Sequence, residues 1–255
     1  MDLSLRSGLL ENAGFVHGFS LRTGGRSAAP FDSLNLARGV GDDWVNVAEN
    51  HARLARDVGY AEGALFEVSQ VHGARVRVVA ASDEPERVRV EEADALVASV
   101  RGAVIGVRVA DCLPLLLADV RAGTVAAVHC GWRSVAAEIV DRALDAMFAA
   151  GTRAADVRAA IGPHIRACCF EVGDEVATAL RAVGRGTEPT VPGGGAMKPH
   201  VDLAAIVSAQ LEARGVKAAQ RDGVGGCTRC DGERFYSYRR DGARSGRHLA
   251  VIAAR

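Results

Sequence analysis

Seven histidines and six cysteines carry most of the metal-binding and nucleophilic capacity of this chain, and three of them fall where they could act together. The richest stretch runs over residues 103–132 and includes Ala110-Asp-Cys-Leu-Pro-Leu-Leu and Val128-His-Cys-Gly-Trp. Read as a β-hairpin turning within residues 119–123, it sets Cys112 opposite His129 on one face. Cross-strand Cβ atoms lie about 5 Å apart, close enough to share an ion. Pro114 marks the first strand as an edge or bulged one. A thiolate facing an imidazole has two functional readings. The pair could be two ligands of a zinc ion, with His72 of Gln70-Val-His-Gly as the third; two His and one Cys leave a fourth position open, the catalytic pattern. Alternatively, Cys112 is a nucleophile and His129 its general base. A structural reading, a buried Cys beside a core His, stands beside both. The other thiols read as structural: Cys168-Cys169 as a buried thiol and its neighbour, and Cys227-x-x-Cys230 as a pair without the second CxxC of a structural zinc site.

These residues must be positioned by a well-packed scaffold. The 255 residues are 49% hydrophobic, enough to bury a core and too apolar for a disordered chain. Lys+Arg and Asp+Glu both number 31, and this balance argues against a nucleic-acid partner. No apolar run reaches about 18 residues, so no transmembrane helix is expected. Residues 1–10 lack the apolar stretch of a signal peptide; the expectation is a cytoplasmic, monomeric protein with free or metal-bound thiols. Apolar spacing predicts helices over residues 44–58, capped by Asp42 or Asp43 and stopped by Gly59, and over 134–150. Two more are expected around Val176, Leu180 and Val183 and from Asp202 to Gly215. Residues 184–199, with Pro192-Gly193-Gly194-Gly195, read as a flexible surface loop. Strand-like runs cover 74–80, 103–110, 115–117, 124–129, 157–161 and 248–253. Their loose alternation with helices favours a single α+β layered sandwich domain with mixed sheets, spanning 1–255, over a doubly wound fold. No GxGxxG, Gly-Lys P-loop or G-x-S-x-G elbow is present.

An ordered set of short motifs narrows the reading. Phe19-Ser-Leu-Arg-Thr-Gly-Gly, Ser33-Leu-Asn-Leu, Gln70-Val-His-Gly, Ala93-Asp-Ala-Leu-Val, Ala110-Asp-Cys-Leu-Pro and Val128-His-Cys-Gly-Trp-Arg appear in that order. Ile161-Gly-Pro, Phe170-Glu-Val-Gly and Phe235-Tyr-Ser-Tyr-Arg-Arg-Asp-Gly follow. Together they resemble the YfiH family, described variously as laccase-domain polyphenol oxidases, purine nucleoside phosphorylases and peptidoglycan editing factors. The resemblance implies a zinc site on His72, Cys112 and His129. It also implies phosphorolysis of adenosine, inosine, guanosine and methylthioadenosine, with adenosine deamination alongside. Two positions depart from the family pattern: Cys130 stands where Ala is usual, and Ser134 where Gly is usual. Strand alternation turns Cys130 away from His129, and Ser134 suits the cap of the next helix.

The residues discriminate partly among these labels. A multicopper oxidase needs many imidazoles, commonly in His-x-His pairs, and the seven histidines include no such pair. The oxidase label is therefore disfavoured, although copper could compete with zinc at a Cys-His-His site. Deamination needs a metal-activated water. Phosphorolysis needs an anion cradle and a fixed ribose, for which Arg22 beside Gly24-Gly25 offers a cation and a backbone nest, with Asn35 and Arg133 as further substrate contacts. Asp111 is expected to face away from the metal in a supporting role. The preferred reading is a zinc-dependent purine nucleoside phosphorylase with adenosine deaminase side activity, acting on nucleoside and phosphate. The alternatives are a hydrolase editing peptidoglycan precursors, a metal-free Cys-His hydrolase, and a non-enzymatic zinc or redox module.

Overall fold

The computed structural model describes residues 2–187, 190–191 and 198–255. Its framework is two mixed sheets stacked face to face. The first runs Ser4–Leu5, His17–Ser20, His248–Ala253, Val104–Val109 and Leu65–Phe66, antiparallel except for the last pair. The second runs Arg221–Gly223, Val157–Ile161, Leu113–Asp119, Val125–Cys130, Ala95–Ala98 and Val76–Val79. Its two outer pairs are parallel and its inner pairs antiparallel.

Because successive strand residues point to opposite faces, each buried strand feeds two cores. Phe19, Ile105 and Ile252 of the first sheet meet Leu96, Leu116 and Ala127 of the second between the sheets. The alternate residues Leu115, Leu117 and Val128 pack outward against helices Ile139–Ala149 and Leu203–Ala213. On the far side, Val104, Leu249 and Val251 lie under helix Trp44–Val58 through Leu54 and Val58. The result is a helix–sheet–sheet–helix sandwich, the α+β class with mixed sheets expected from the sequence.

Helix Trp44–Val58 forms where its caps predict it. The Asp43 carboxylate accepts from the Val45 N–H, and Gly59 closes the helix at φ 90°. Asp202 likewise caps Leu203–Ala213. The helix expected over 134–150 is corrected: it is two helices, Trp132–Ala136 and Ile139–Ala149, broken where Glu138 adopts φ 60°. Strand Leu113–Asp119 is also central, not an edge strand. Pro114 is tolerated there because it lies past the last paired residue of Val157–Ile161, with Leu115 opposite Ile161. Within the expected loop at 184–199, Thr190–Val191 pairs with His200–Val201; Pro192 through Gly195 lie outside the described residues. Among the described residues, no helix is long and apolar enough to cross a membrane.

Candidate metal centre

His72, Cys112 and His129 converge at one end of the second sheet, with a ligand atom from each within 4.8 Å of the others. The route by which they meet corrects the expected register. Pro114, not Cys112, lies opposite His129, and Leu113 lies opposite Cys130. Cys112 sits one residue ahead of its strand and is swung out of the ladder by Asp111, whose φ of 82° is in the left-handed region. Asp111 is held there by three donors: Thr228 Oγ1 at 2.6 Å, the Arg239 N–H at 2.6 Å and Ser237 Oγ at 3.0 Å. Its carbonyl accepts from the Ile165 N–H at 2.9 Å. A non-glycine residue in this conformation costs roughly 1–2 kcal/mol, and these four bonds hold it.

The histidines share one organiser, Asp94, which is fully buried just ahead of strand Ala95–Ala98. Its carboxylate accepts from the backbone N–H groups of Val71, His72 and Gly73, at 3.2, 2.9 and 2.6 Å. These bonds fix the loop on which His72 takes φ 59°. The same carboxylate lies 2.7 Å from His129 Nδ1. An ionised carboxylate only accepts, so His129 Nδ1 donates, which leaves Nε2 as the nitrogen that would bind an ion by giving up its proton. Burial alone would raise the Asp94 carboxyl, but the bonds from His129 and the 71–73 backbone hold it below the usual range.

Electrostatics favour an ionised thiol. Burial opposes ionisation of Cys112, yet His129 and His72 together bring its pKa down to about 6. Burial likewise opposes a proton on His129, but Cys112 and Asp94 raise it to about 9. Cys112 Sγ and His72 Nε2 are 3.8 Å apart. Tetrahedral zinc with the usual Zn–S and Zn–N lengths sets such a pair roughly 3.6 Å apart. Gly131 leaves the room: a Cβ there would lie 2.8 Å from His72 Cδ2 and 3.5 Å from Cys112 Sγ. A soft thiolate, two imidazoles and a cleared space fit a zinc-class ion.

The trio lines a cavity of about 920 Å³ that is rich in cations. Arg38, Arg89, Arg108, Arg239 and Arg247 all reach it. Arg108 is neutralised by Glu67 at 3.1 Å, and Arg89 pairs with Glu86. Among the described residues, the Arg247 guanidinium hydrogen-bonds only to the carbonyls of Ser245 and Gly246, and that of Arg239 only to the carbonyl of Glu171. Arg38, exposed, has no hydrogen bond or ion pair among the described residues. Asp111 is the acidic residue in the lining, and its carboxylate is already engaged. Tyr238, 53% exposed, adds an aromatic face.

The other expected substrate residues lie outside the cavity lining. The Arg22 guanidinium is tied to Asp32 and to the carbonyl of Gly232, and the Gly25 N–H to Ser33 Oγ. Three of the Arg22 donors and the Gly25 N–H are therefore engaged within the protein. Asn35 is fully buried; its side chain bonds Asp42, Ala37 and the Arg247 N–H. It therefore ties together two segments that reach the cavity. Arg133 is exposed and lies 4.4 Å from the Trp132 ring centroid, outside the cavity lining. Cys130 turns into the opposite core, where burial raises its thiol. Four of the remaining histidines are buried and bonded to backbone: His17 to Phe15 and Ser7, His51 to Leu36, His164 to Gly162 and His248 to Tyr236. The sequence reading gave no role to Asp94 or to the cavity arginines. Asp94 had a signal, since a ligating His generally donates its second ring N–H to a carboxylate.

The fold and this site define a class of α+β enzyme with a His-Cys-His centre opening into a cationic cavity. The chain belongs to the family described as multi-copper polyphenol oxidoreductase laccase, whose model matches residues 16–255. It is 40% identical over 242 residues to a purine nucleoside phosphorylase of Deinococcus radiodurans, covering 94% of this chain and 90% of that one. It is 37% identical over 248 residues to adenosine deaminase RL5 of an unknown prokaryotic organism, covering 93% of each. The crystal structure of YlmD from Geobacillus stearothermophilus superposes with a TM-score of 0.91 at 30% identity, covering all of both chains.

Proposed function

We propose that this chain is a zinc-dependent purine nucleoside phosphorylase with adenosine deaminase side activity, acting as one domain in the cytoplasm. The observation that carries the reading is the open side of the His72–Cys112–His129 centre, which faces a cavity with three arginines that lack a carboxylate partner among the described residues. Arg38, Arg239 and Arg247 suit an inorganic phosphate or another anion. Tyr238 offers a stacking face for a purine. Bound at the trio, zinc would supply Lewis acidity and lower the pKa of water to about 7. Asp94 keeps His129 in the ligating tautomer, and Asp111 keeps Cys112 turned toward the cavity. The nucleoside names of the relatives support the same chemistry. A three-copper oxidase fits poorly, because four of the seven histidines are bonded to buried backbone.

The test is incubation of inosine and adenosine with and without phosphate, following base, sugar phosphate and inosine by chromatography. Phosphate-dependent release of base, lost together with zinc in Cys112→Ala, is the expected result. Base release without phosphate, or full turnover by Cys112→Ala, would overturn the reading. The absence of any nucleoside turnover in zinc-loaded protein would favour the peptidoglycan-editing alternative.

A further inference from the structure

Four of the five remaining cysteines meet in a second cluster. Cys168, Cys169, Cys227 and Cys230 place their sulfurs within 4.8 Å of one another. Cys168 and Cys230 are exposed, whereas Cys169 and Cys227 are buried. Three of the separations are 3.7 Å (Cys168 to Cys169), 3.7 Å (Cys168 to Cys230) and 3.3 Å (Cys169 to Cys230). A disulfide would need about 2.05 Å. Four sulfurs around one tetrahedral ion, each at the Zn–S distance, lie roughly 3.8 Å apart. A four-iron cluster would spread its ligands over separate corners of a cube and needs a wider nest.

The surroundings also suit bound thiolates. Backbone N–H groups of Arg166, Cys230 and Arg229 are directed at Cys227 Sγ, as in a metal-binding knuckle. The Arg229 side chain lies against Cys169, and this cation offsets part of the charge of a four-thiolate site. The backbone supplies the convergence. Strands Val157–Ile161 and Arg221–Gly223 run parallel and adjacent, so both following loops leave from the same end of the sheet. His164 bridges Cys227 in parallel, and the Thr228 N–H bonds the His164 carbonyl.

We propose that Cys168, Cys169, Cys227 and Cys230 form a second metal centre, holding one structural zinc ion in a closed four-thiolate site. Binding replaces four S–H bonds by four Zn–S bonds, releases the thiol protons to solvent and involves no redox change. With four protein ligands it has no open position, so its work is mechanical. It clamps two loops that carry the partners of Asp111: Ile165 on one and Thr228, next to Cys227, on the other. Asp111 in turn aims Cys112, so the second ion braces the wall of the first site. This inference stands independently of the reading of the trio.

The experiment is zinc quantification by mass spectrometry on the full chain, purified under anaerobic reducing conditions and desalted. It is done in a Cys112→Ala background, where the trio cannot contribute. One zinc per chain is expected there, and none after adding Cys227→Ser and Cys230→Ser. Because those variants could fold poorly, thiol alkylation of the unsubstituted protein is read in parallel. The exposed Cys168 and Cys230 should resist alkylation until a strong chelator is added. No zinc in the Cys112→Ala protein, zinc that survives loss of both Cys227 and Cys230, or alkylation unaffected by chelator would each overturn the proposal. So would disulfide-linked peptides containing these cysteines.

Discussion

Asp94→Asn tests the organisation of the trio with minimal change of shape. The native carboxylate accepts four hydrogen bonds, two at each oxygen: His72 N–H and His129 Nδ1 at Oδ1, and the Val71 and Gly73 N–H groups at Oδ2. An amide offers one acceptor oxygen, so in either orientation its NH2 group faces two former donors. If the NH2 replaces Oδ2, the 71–73 loop that carries His72 loses its anchor. If it replaces Oδ1, His129 can satisfy it only by switching tautomer, which puts a proton on the nitrogen meant for the metal. Hydrogen bonds to a charged group contribute about 1.5–3 kcal/mol each, so losing two destabilises the metal-free fold by about 3–6 kcal/mol. Loss of a partner that orients a ligand weakens metal affinity about 10–100-fold. Zinc Kd by competition with a fluorescent chelator, with thermal unfolding of the metal-free protein, reads both effects. Asp94→Asn protein that binds trio zinc within about threefold of the unsubstituted protein, well short of that loss, would refute the reasoning.

Three further outcomes follow from the same geometry. The Cys112–His129 pair should make metal-free stability peak between about pH 6 and 9. The depressed thiol contributes fully above its unfolded value of 9.0 and loses this as pH falls through about 6. The raised imidazole contributes fully below 6.5 and loses this as pH rises through about 9. Urea midpoints across pH should show both flanks in the unsubstituted protein, whereas Cys112→Ala should lose the acid flank and keep only the part of the alkaline flank that Asp94 supplies. Gly131→Ala puts a methyl 2.8 Å from His72; overpacking of about 1–3 kcal/mol should weaken zinc binding by roughly tenfold or more, measurable by the same chelator competition. Arg38→Met removes a free cation from the cavity and should raise the KM for phosphate about 10–100-fold, with adenosine deamination as the control that does not require phosphate.

What could be read beforehand divides along a physical line. Helix Trp44–Val58 was legible because its signals are local: an Asp cap, an apolar stripe and a stopping Gly. The break at Glu138 was not, since neither Gly nor Pro marks it and the left-handed φ falls on an ordinary residue. The trio was legible in composition but not in route. A hairpin argument put Cys112 in the ladder, whereas the left-handed turn at Asp111 carries it beyond the strand end. Motif spacing likewise cannot show that the Arg22 guanidinium bonds Asp32 and Gly232.

The cysteine cluster shows why such sites escape a linear reading. A CxxC pair looks incomplete when its partners are sought at zinc-ribbon spacing, yet Cys168-Cys169 lies about 60 residues upstream of it. Parallel pairing of Val157–Ile161 with Arg221–Gly223 erases that separation, because adjacent parallel strands discharge their loops at the same edge. Two of the trio and their organiser also lie where strands end, with His129 near the close of Val125–Cys130, Cys112 just ahead of Leu113 and Asp94 just ahead of Ala95. In both clusters the chemistry sits where the ladder stops fixing side-chain direction and individual hydrogen bonds take over. Asp94 and Asp111 do that work at the trio: each is a buried carboxylate holding at least three donors from segments distant in sequence. A variant of either should therefore disturb metal geometry before it disturbs the sheets.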